Sequence, residues 1–151
     1  MGAVRDGAVA QLVKRYADKI PFYWPFELVE LADVRLGRGV ADPVRQKDAE
    51  ADRFMAEISN GDFVVLFDEH GKEMTSRQLS EFITRKAVEL PRNLIFVIGG
   101  PYGFGAAMHM RANMKLSMSL MTLPHELARL FAVEQLYRAG TISRGEPYHH
   151  D

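Results

Sequence analysis

Cysteine is absent from all 151 residues. That excludes disulfides, thiolate metal sites and a cysteine nucleophile. Long apolar runs are missing too, since no stretch approaches the roughly 20 residues that a bilayer-spanning helix needs. The opening "MGAVRDGAVA" has no basic region followed by a long apolar core, so it does not read as a secretory signal. Gly2 is in place for myristoylation, but Asp6 stands where that motif wants Ser or Thr. A cytoplasmic location is the simple expectation. Net charge is nearly absent as well: the formal value of −1 argues against avid, non-specific nucleic-acid binding.

What charge there is lies unevenly. Residues 1–75 carry four more acidic than basic side chains, whereas residues 76–151 carry three more basic than acidic and four of the five histidines. An anionic partner is therefore expected on the C-terminal half. The length and the absence of repeats, low-complexity tracts or linkers indicate a single domain over residues 1–151.

Apolar periodicity predicts a helix over 8–19 and a strand over 25–31, "PFELVEL", where apolar and polar residues alternate. Residues 34–41 read as a Gly- and Arg-containing loop. Asp42-Pro43 opens a polar helix, with Asp as the cap and Pro at the first helical position. "FVVLF" (63–67) reads as a buried strand followed by a loop, "DEHGKE". Thr75 to Gln78 form a capping-box pattern for a helix carrying Leu79, Phe82, Ile83 and Leu90. "NLIFVI" (93–98) is a second apolar strand, leading into "GGPYGFG", a helix over about 104–113, and "MKLSMSLMTL". Apolar strands separated by helices predict an α/β fold with a parallel sheet covered on both faces. Ligands in such sheets bind beyond the carboxyl ends of the strands, where the loops after Phe67 and Ile98 lie.

The glycine loop lacks the markers of the common nucleotide sites. Gly105 is followed by Ala-Ala instead of the Lys-Ser or Lys-Thr of a P-loop, and the glycine spacing is not that of a dinucleotide fingerprint. Turn chemistry alone accounts for it, with a type II-like turn requiring positive φ at Gly103; a ligand role stays open. "HELAR" (125–129) begins like a zinc-protease helix, but Arg129 occupies the second histidine's position, so no metal site is expected. His125 is either a helix cap or a ligand contact.

The helix over about 125–142 places Leu123, Leu127, Leu130, Phe131 and Tyr137 on one expected apolar face. Glu134 falls on that face, with Arg138 four residues on in the favourable order. The pair is either a structural ion pair or a means of holding Arg138 towards an anionic substrate. The tail "RGEPYHHD" supplies Tyr148, able to stack on a base, and His149 and His150, able to hydrogen-bond or titrate.

Taken together, "LIFVIGGPYGFG", "LSMSLMTLPHELARLFAVEQLYRA" and "EPYHH" occur in the order and spacing of a known family. From about Tyr16 onward, the chain resembles the large-subunit ribosomal RNA methyltransferase H family, the pseudouridine N3-methyltransferases of the SPOUT class. The Ser-x-Ser-x-x-Thr-x-x-His segment, the E-x-L-Y-R-A helix and the terminal P-Y-H carry the likeness. The resemblance implies an α/β knot with a C-terminal trefoil, a homodimer and S-adenosylmethionine as cofactor. It implies as cofactor contacts Leu66, Gly99, Met118, Ser119, Leu120, Met121, Thr122 and Leu123, largely through backbone groups. The implied substrate is a pseudouridine of 23S rRNA on the assembled ribosome. Arg138, oriented by Glu134, is expected to act on it with Tyr148 and His149, the tail reaching across from the partner subunit.

The family pattern begins with an apolar strand ending in a Val-Gly-Lys-Thr-like segment, whereas this chain begins at or just beyond that strand's end. A sheet lacking that first strand is therefore expected, with apolar surface left uncovered. The alternative function is a catalytically silent knotted protein that binds ribosomal RNA or a ribosome factor. A generic ATP- or NAD-binding enzyme is disfavoured by the missing fingerprints.

Overall fold

The computed structural model describes Val4, residues 6–34 and residues 42–149. All of the expected 34–41 loop except Val34, and His150 of the tail, fall outside these residues. Among the described residues, five α-helices and three strands follow one another as α1 (Gly7–Ala17), a 3₁₀ turn (Ile20–Phe22), α2 (Pro43–Glu57), β1 (Phe63–Glu73), α3 (Ser76–Glu89), β2 (Leu94–Ile98), α4 (Ala106–Arg111), β3 (Met114–Ser117) and α5 (His125–Ser143).

Local chemistry sets the helix starts. The Asp6 carboxylate accepts from the Ala8 and Val9 amides at 2.8 and 3.1 Å, and Asp42 does the same for Val44 and Arg45 at 3.0 and 3.1 Å. Each satisfies donors that the first helical turn cannot use internally. The Thr75–Gln78 capping box forms in full: the Gln78 amide donates to Thr75 Oγ1 at 3.2 Å, and the Thr75 amide to Gln78 Oε1 at 2.9 Å.

The sheet is parallel, in the order β2-β1-β3. Alternate residues of β1 fill opposite faces. Val65 joins Val13, Ile20, Leu79, Phe82, Ile83, Leu116, Val133, Leu136 and Ala139 beneath α1, α3 and α5. Val64 and Leu66 join Val97, Ala51, Phe54, Phe104 and Met108 beneath α2 and α4. Val64, Val65 and Leu66 are wholly buried, each contributing about 1.5–3 kcal/mol by leaving water. Helices thus cover both faces of the sheet, as the continuous apolar runs required.

Three expectations need correction. Residues 25–31 form no strand; they run irregularly, with Leu28 and Val29 about half exposed. Alternation prepares a chain for a sheet, but without a neighbour to exchange hydrogen bonds there is no ladder. Second, "DEHGKE" is not simply a loop. Leu116 of β3 faces both Phe67 and Lys72, so residues 68–71 bulge out and β1 resumes to Glu73. Gly71 allows this, because a Cβ there would collide with the Lys115–Leu116 backbone. Third, α5 buries Arg129, Ala132, Val133, Leu136, Ala139, Gly140 and Thr141, while Leu127 and Phe131 face outward. The helix is apolar on more than one side, so spacing alone misassigned its core face.

Candidate active site

The glycine loop begins where β2 ends. A Cβ on Gly99 would press on the Phe104 ring at 3.2 Å, and one on Gly100 would overlap the buried Glu50 carboxylate of α2. The Gly103 amide donates to the Gly100 carbonyl at 3.0 Å, and Gly103 has φ +75°. This places Tyr102 at the third turn position without positive φ, so the expected type II-like turn is not formed. The turn centres instead on Pro101-Tyr102, with its left-handed glycine one place later. Phe104 is buried against Phe54, locking the loop onto α2.

Beyond β3 the chain turns tightly. Ser117 Oγ donates to the Ser119 carbonyl at 3.0 Å, and the Met121 amide to Ser119 Oγ at 2.9 Å. From Met118 to Leu123 it is neither helix nor strand, and Leu120 and Met121 are 86% and 77% exposed. Gly99 and this segment therefore offer backbone groups and apolar side chains at the carboxyl end of the sheet, where parallel α/β sheets bind ligands. Leu66 differs from them: its side chain is fully buried in the core.

Sequence reasoning missed two acidic residues here. Glu50, buried behind Gly100, accepts from Gln46 Nε2 at 2.7 Å. Asp68, in the β1 bulge, accepts the His70 amide at 2.9 Å and lies 3.4 and 3.7 Å from the His70 and His109 rings. Only its position at a strand's carboxyl end could have marked Asp68. Nothing in a polar helix marks Glu50.

The other four candidates converge on α5. Arg138 Nε and Nη2 donate to Glu134 Oε1 at 3.0 and 2.5 Å, and Gln135 Nε2 donates to Glu134 Oε2 at 2.7 Å. The Tyr148 hydroxyl donates to the same Glu134 Oε1 at 3.0 Å and lies 3.4 Å from the Tyr16 hydroxyl. The Arg138 guanidinium sits 4.7 Å above the Tyr148 ring, and its Nη1 is 3.4 Å from His149 Nδ1. The hydrogen bond to Glu134 raises the Arg138 pKa above its already high value, outweighing burial. Burial, then the contacts with Tyr16 and Glu134, push the Tyr148 phenol well above its ordinary pKa, so it stays protonated. The cluster thus holds a fixed cation, a neutral phenol and an imidazole side by side.

The tail meets Glu134 and Arg138 of its own chain, and not from a partner subunit as expected; a helix-ending motif brings it there. Gly145 takes φ +66°; its amide donates to the Ile142 carbonyl at 3.0 Å, and the Glu146 amide to Thr141 at 2.9 Å. This Schellman pair reverses the chain. Glu146 is then held by the Tyr23 hydroxyl at 2.7 Å, and Tyr148 packs on Tyr137, centroids 4.9 Å apart.

His125 does not cap α5 through its side chain; its Nε2 lies 3.0 Å from Arg129 Nη2, and Arg129 reaches Glu30 at 3.7 Å. Burial lowers the Arg129 pKa against the opposing pull of Glu30, Asp33 and Glu126. Among the described residues, no three His, Asp or Glu side chains form a group able to hold a metal, and no helix is long and apolar enough to cross a membrane.

Comparison with known proteins identifies the family. Residues 1–149 match the model of a family described as "Predicted SPOUT methyltransferase". Among its relatives, a protein of Parabacteroides distasonis is 38% identical over 151 residues, covering 100% of this chain and 96% of the relative. One of Christiangramia forsetii is 44% identical over 139 residues (92% and 88%), and one of Gemmatimonas aurantiaca 42% over 150 (99% and 95%). All three are named ribosomal RNA large subunit methyltransferase H. Matched by the family model over residues 1–149 and 38–44% identical to these three relatives over most of their length, the chain belongs to the SPOUT methyltransferase family.

Proposed function

We propose that this protein is an S-adenosylmethionine-dependent ribosomal RNA methyltransferase of the cytoplasm, acting as a homodimer on N3 of a pseudouridine in 23S rRNA within the assembled ribosome. The observation that carries the reading is the single hydrogen-bonded cluster of Glu134, Arg138, Tyr148 and His149 in a SPOUT-family chain.

S-Adenosylmethionine supplies an electrophilic methyl group on a sulfonium. Gly99 and the Met118–Leu123 segment, with Ser119 and Thr122, would hold it within the family's knotted region, and Leu66 would support that pocket from the core. Arg138, fixed by Glu134, stabilises the negative charge that develops on the pyrimidine imide as N3 gives up its proton to His149 or water. Tyr148 stays protonated and donates a hydrogen bond while its ring orients the base. The cluster would hold N3 towards the methyl donor, which would supply the methyl group and leave as the uncharged thioether.

One chain does not complete this site. Glu134 and Arg138 lie nine and thirteen residues beyond the start of α5, roughly 14–20 Å along the helix axis from the cofactor segment. Between them α5 exposes Leu127 and Phe131, an apolar band suited to a second copy. A dimer sets one chain's cluster against the other's cofactor segment.

The decisive experiment is transfer of labelled methyl from S-adenosylmethionine into ribosomes lacking the modification, with free 23S rRNA in parallel. Incorporation should map to N3 of one pseudouridine. Arg138→Ala and His149→Ala should each lower transfer by roughly 10²–10³-fold, with cofactor affinity by calorimetry unchanged. Equal loss of binding and transfer would sink the assignment of roles. Ribosome binding without incorporation by the unaltered protein would favour the catalytically silent alternative.

A further inference from the structure

Phe22 leaves 69% of its surface in solvent, although its neighbours Ile20 and Tyr23 do the packing of the 3₁₀ turn. The ring is not on a loose segment. The Arg144 guanidinium hydrogen-bonds the Phe22 carbonyl and lies 5.0 Å over the Tyr23 ring. Tyr23 is fixed in turn by Glu146 and by Gly140, where any Cβ would overlap its ring. On the other side, Lys19 Nζ stands 5.1 Å over Tyr137.

These contacts form one continuous strip. From Phe22 it passes through Tyr23 to Tyr137 (5.9 Å between centroids), then to Tyr148 and Arg138 of the proposed active site. Aromatic rings alternate with Lys19, Arg144 and Arg138. The nearby carboxylates are engaged, Glu146 by Tyr23 and Asp18 by Lys14. Tyr23, Tyr137 and Tyr148 are half-buried with Arg144, Lys19 and Arg138 over their rings, which leaves Phe22 as the exposed ring of the strip. An open ring for a base beside cations that neutralise phosphates is how proteins hold single-stranded nucleic acid. A protein partner would favour a broader apolar area, and α5 offers that elsewhere, around Leu127 and Phe131.

We infer that Phe22, flanked by Lys19 and Arg144, is a stacking site for an unpaired RNA nucleotide adjoining the one that is methylated. The inference rests on the rRNA-methyltransferase reading for its substrate, but its test does not depend on turnover. Phe22→Ala should weaken binding of a single-stranded RNA of about ten nucleotides, read by fluorescence anisotropy, by roughly tenfold, the loss of one stacked base. Phe22→Trp should restore it. Lys19→Gln should reduce the slope of log affinity against log salt by roughly one phosphate's share. On the ribosomal substrate, Phe22→Ala should raise KM and leave kcat, cofactor affinity and sedimenting mass unchanged. Unaltered RNA affinity and KM would overturn the proposal, as would a fall in mass, which would place a second copy on this surface. If the unaltered protein transfers no methyl but binds RNA through Phe22, the catalytic reading fails and this one stands.

Discussion

Tyr23 ties the tail to the body of the protein, and its ionisation sets a limit on stability. Burial, reinforced by the hydrogen bond to Glu146, holds its proton well above the ordinary phenol value; Tyr148 shifts the same way for the same first cause. A folded-state pKa above the unfolded one gives stability that is fully present below the unfolded value, about pH 10, and lost as pH rises through the folded value. Denaturant titrations from neutral to strongly alkaline pH should therefore show stability declining above about pH 10. Tyr23→Phe should cost roughly 1–3 kcal/mol at neutral pH by removing a hydrogen bond to a carboxylate, yet show a shallower alkaline decline. An equally steep decline would assign the effect to other groups. At this scale the sequence was only partly informative. Glu134 and Arg138 were readable because helical spacing alone joins them. Their union with Tyr148 and His149 came from the family resemblance alone, because it depends on a left-handed Gly145 that reverses the chain, and helical spacing carries no information about the path of the chain past the last turn.

Elements were legible where local chemistry decides them. The Asp42-Pro43 start of α2 and the Thr75–Gln78 start of α3 formed as their motifs required. Thr75→Ala should accordingly cost about 1 kcal/mol in denaturant unfolding, with Thr75→Ser retaining most of it; no loss would mean that tertiary packing alone holds the first turn. Legibility ended where an element depends on a distant neighbour. Residues 25–31 have a strand's alternation but no ladder in the described structure, and β1 outruns its apolar core because β3 pairs again beyond the 68–71 bulge. On α5, Leu127 and Phe131 were assigned to the core face, since an apolar side chain at helical spacing looks the same whether it meets the sheet or the surface.

For the molecule as a whole, that outward band is the testable feature. Phe131 is 39% exposed, so Phe131→Glu should leave the fold intact while placing a charge in the proposed interface. Sedimentation should show a dimer for the unaltered protein and a monomer for the variant, with methyl transfer lost alongside. A variant that stays dimeric would move the interface elsewhere. The packing of α1 on α5 has a separate consequence for how the chain comes into being. Helix α1 leaves the translating ribosome well before α5, so Val13 has no α5 surface to cover until the chain has emerged past Ser143. The β1–β2–β3 sheet can assemble before then, but the layer beneath it closes only once α5 has emerged. A nascent chain stalled before residue 125 should therefore expose its α1 face to chaperones, and emergence of α5 should hide it.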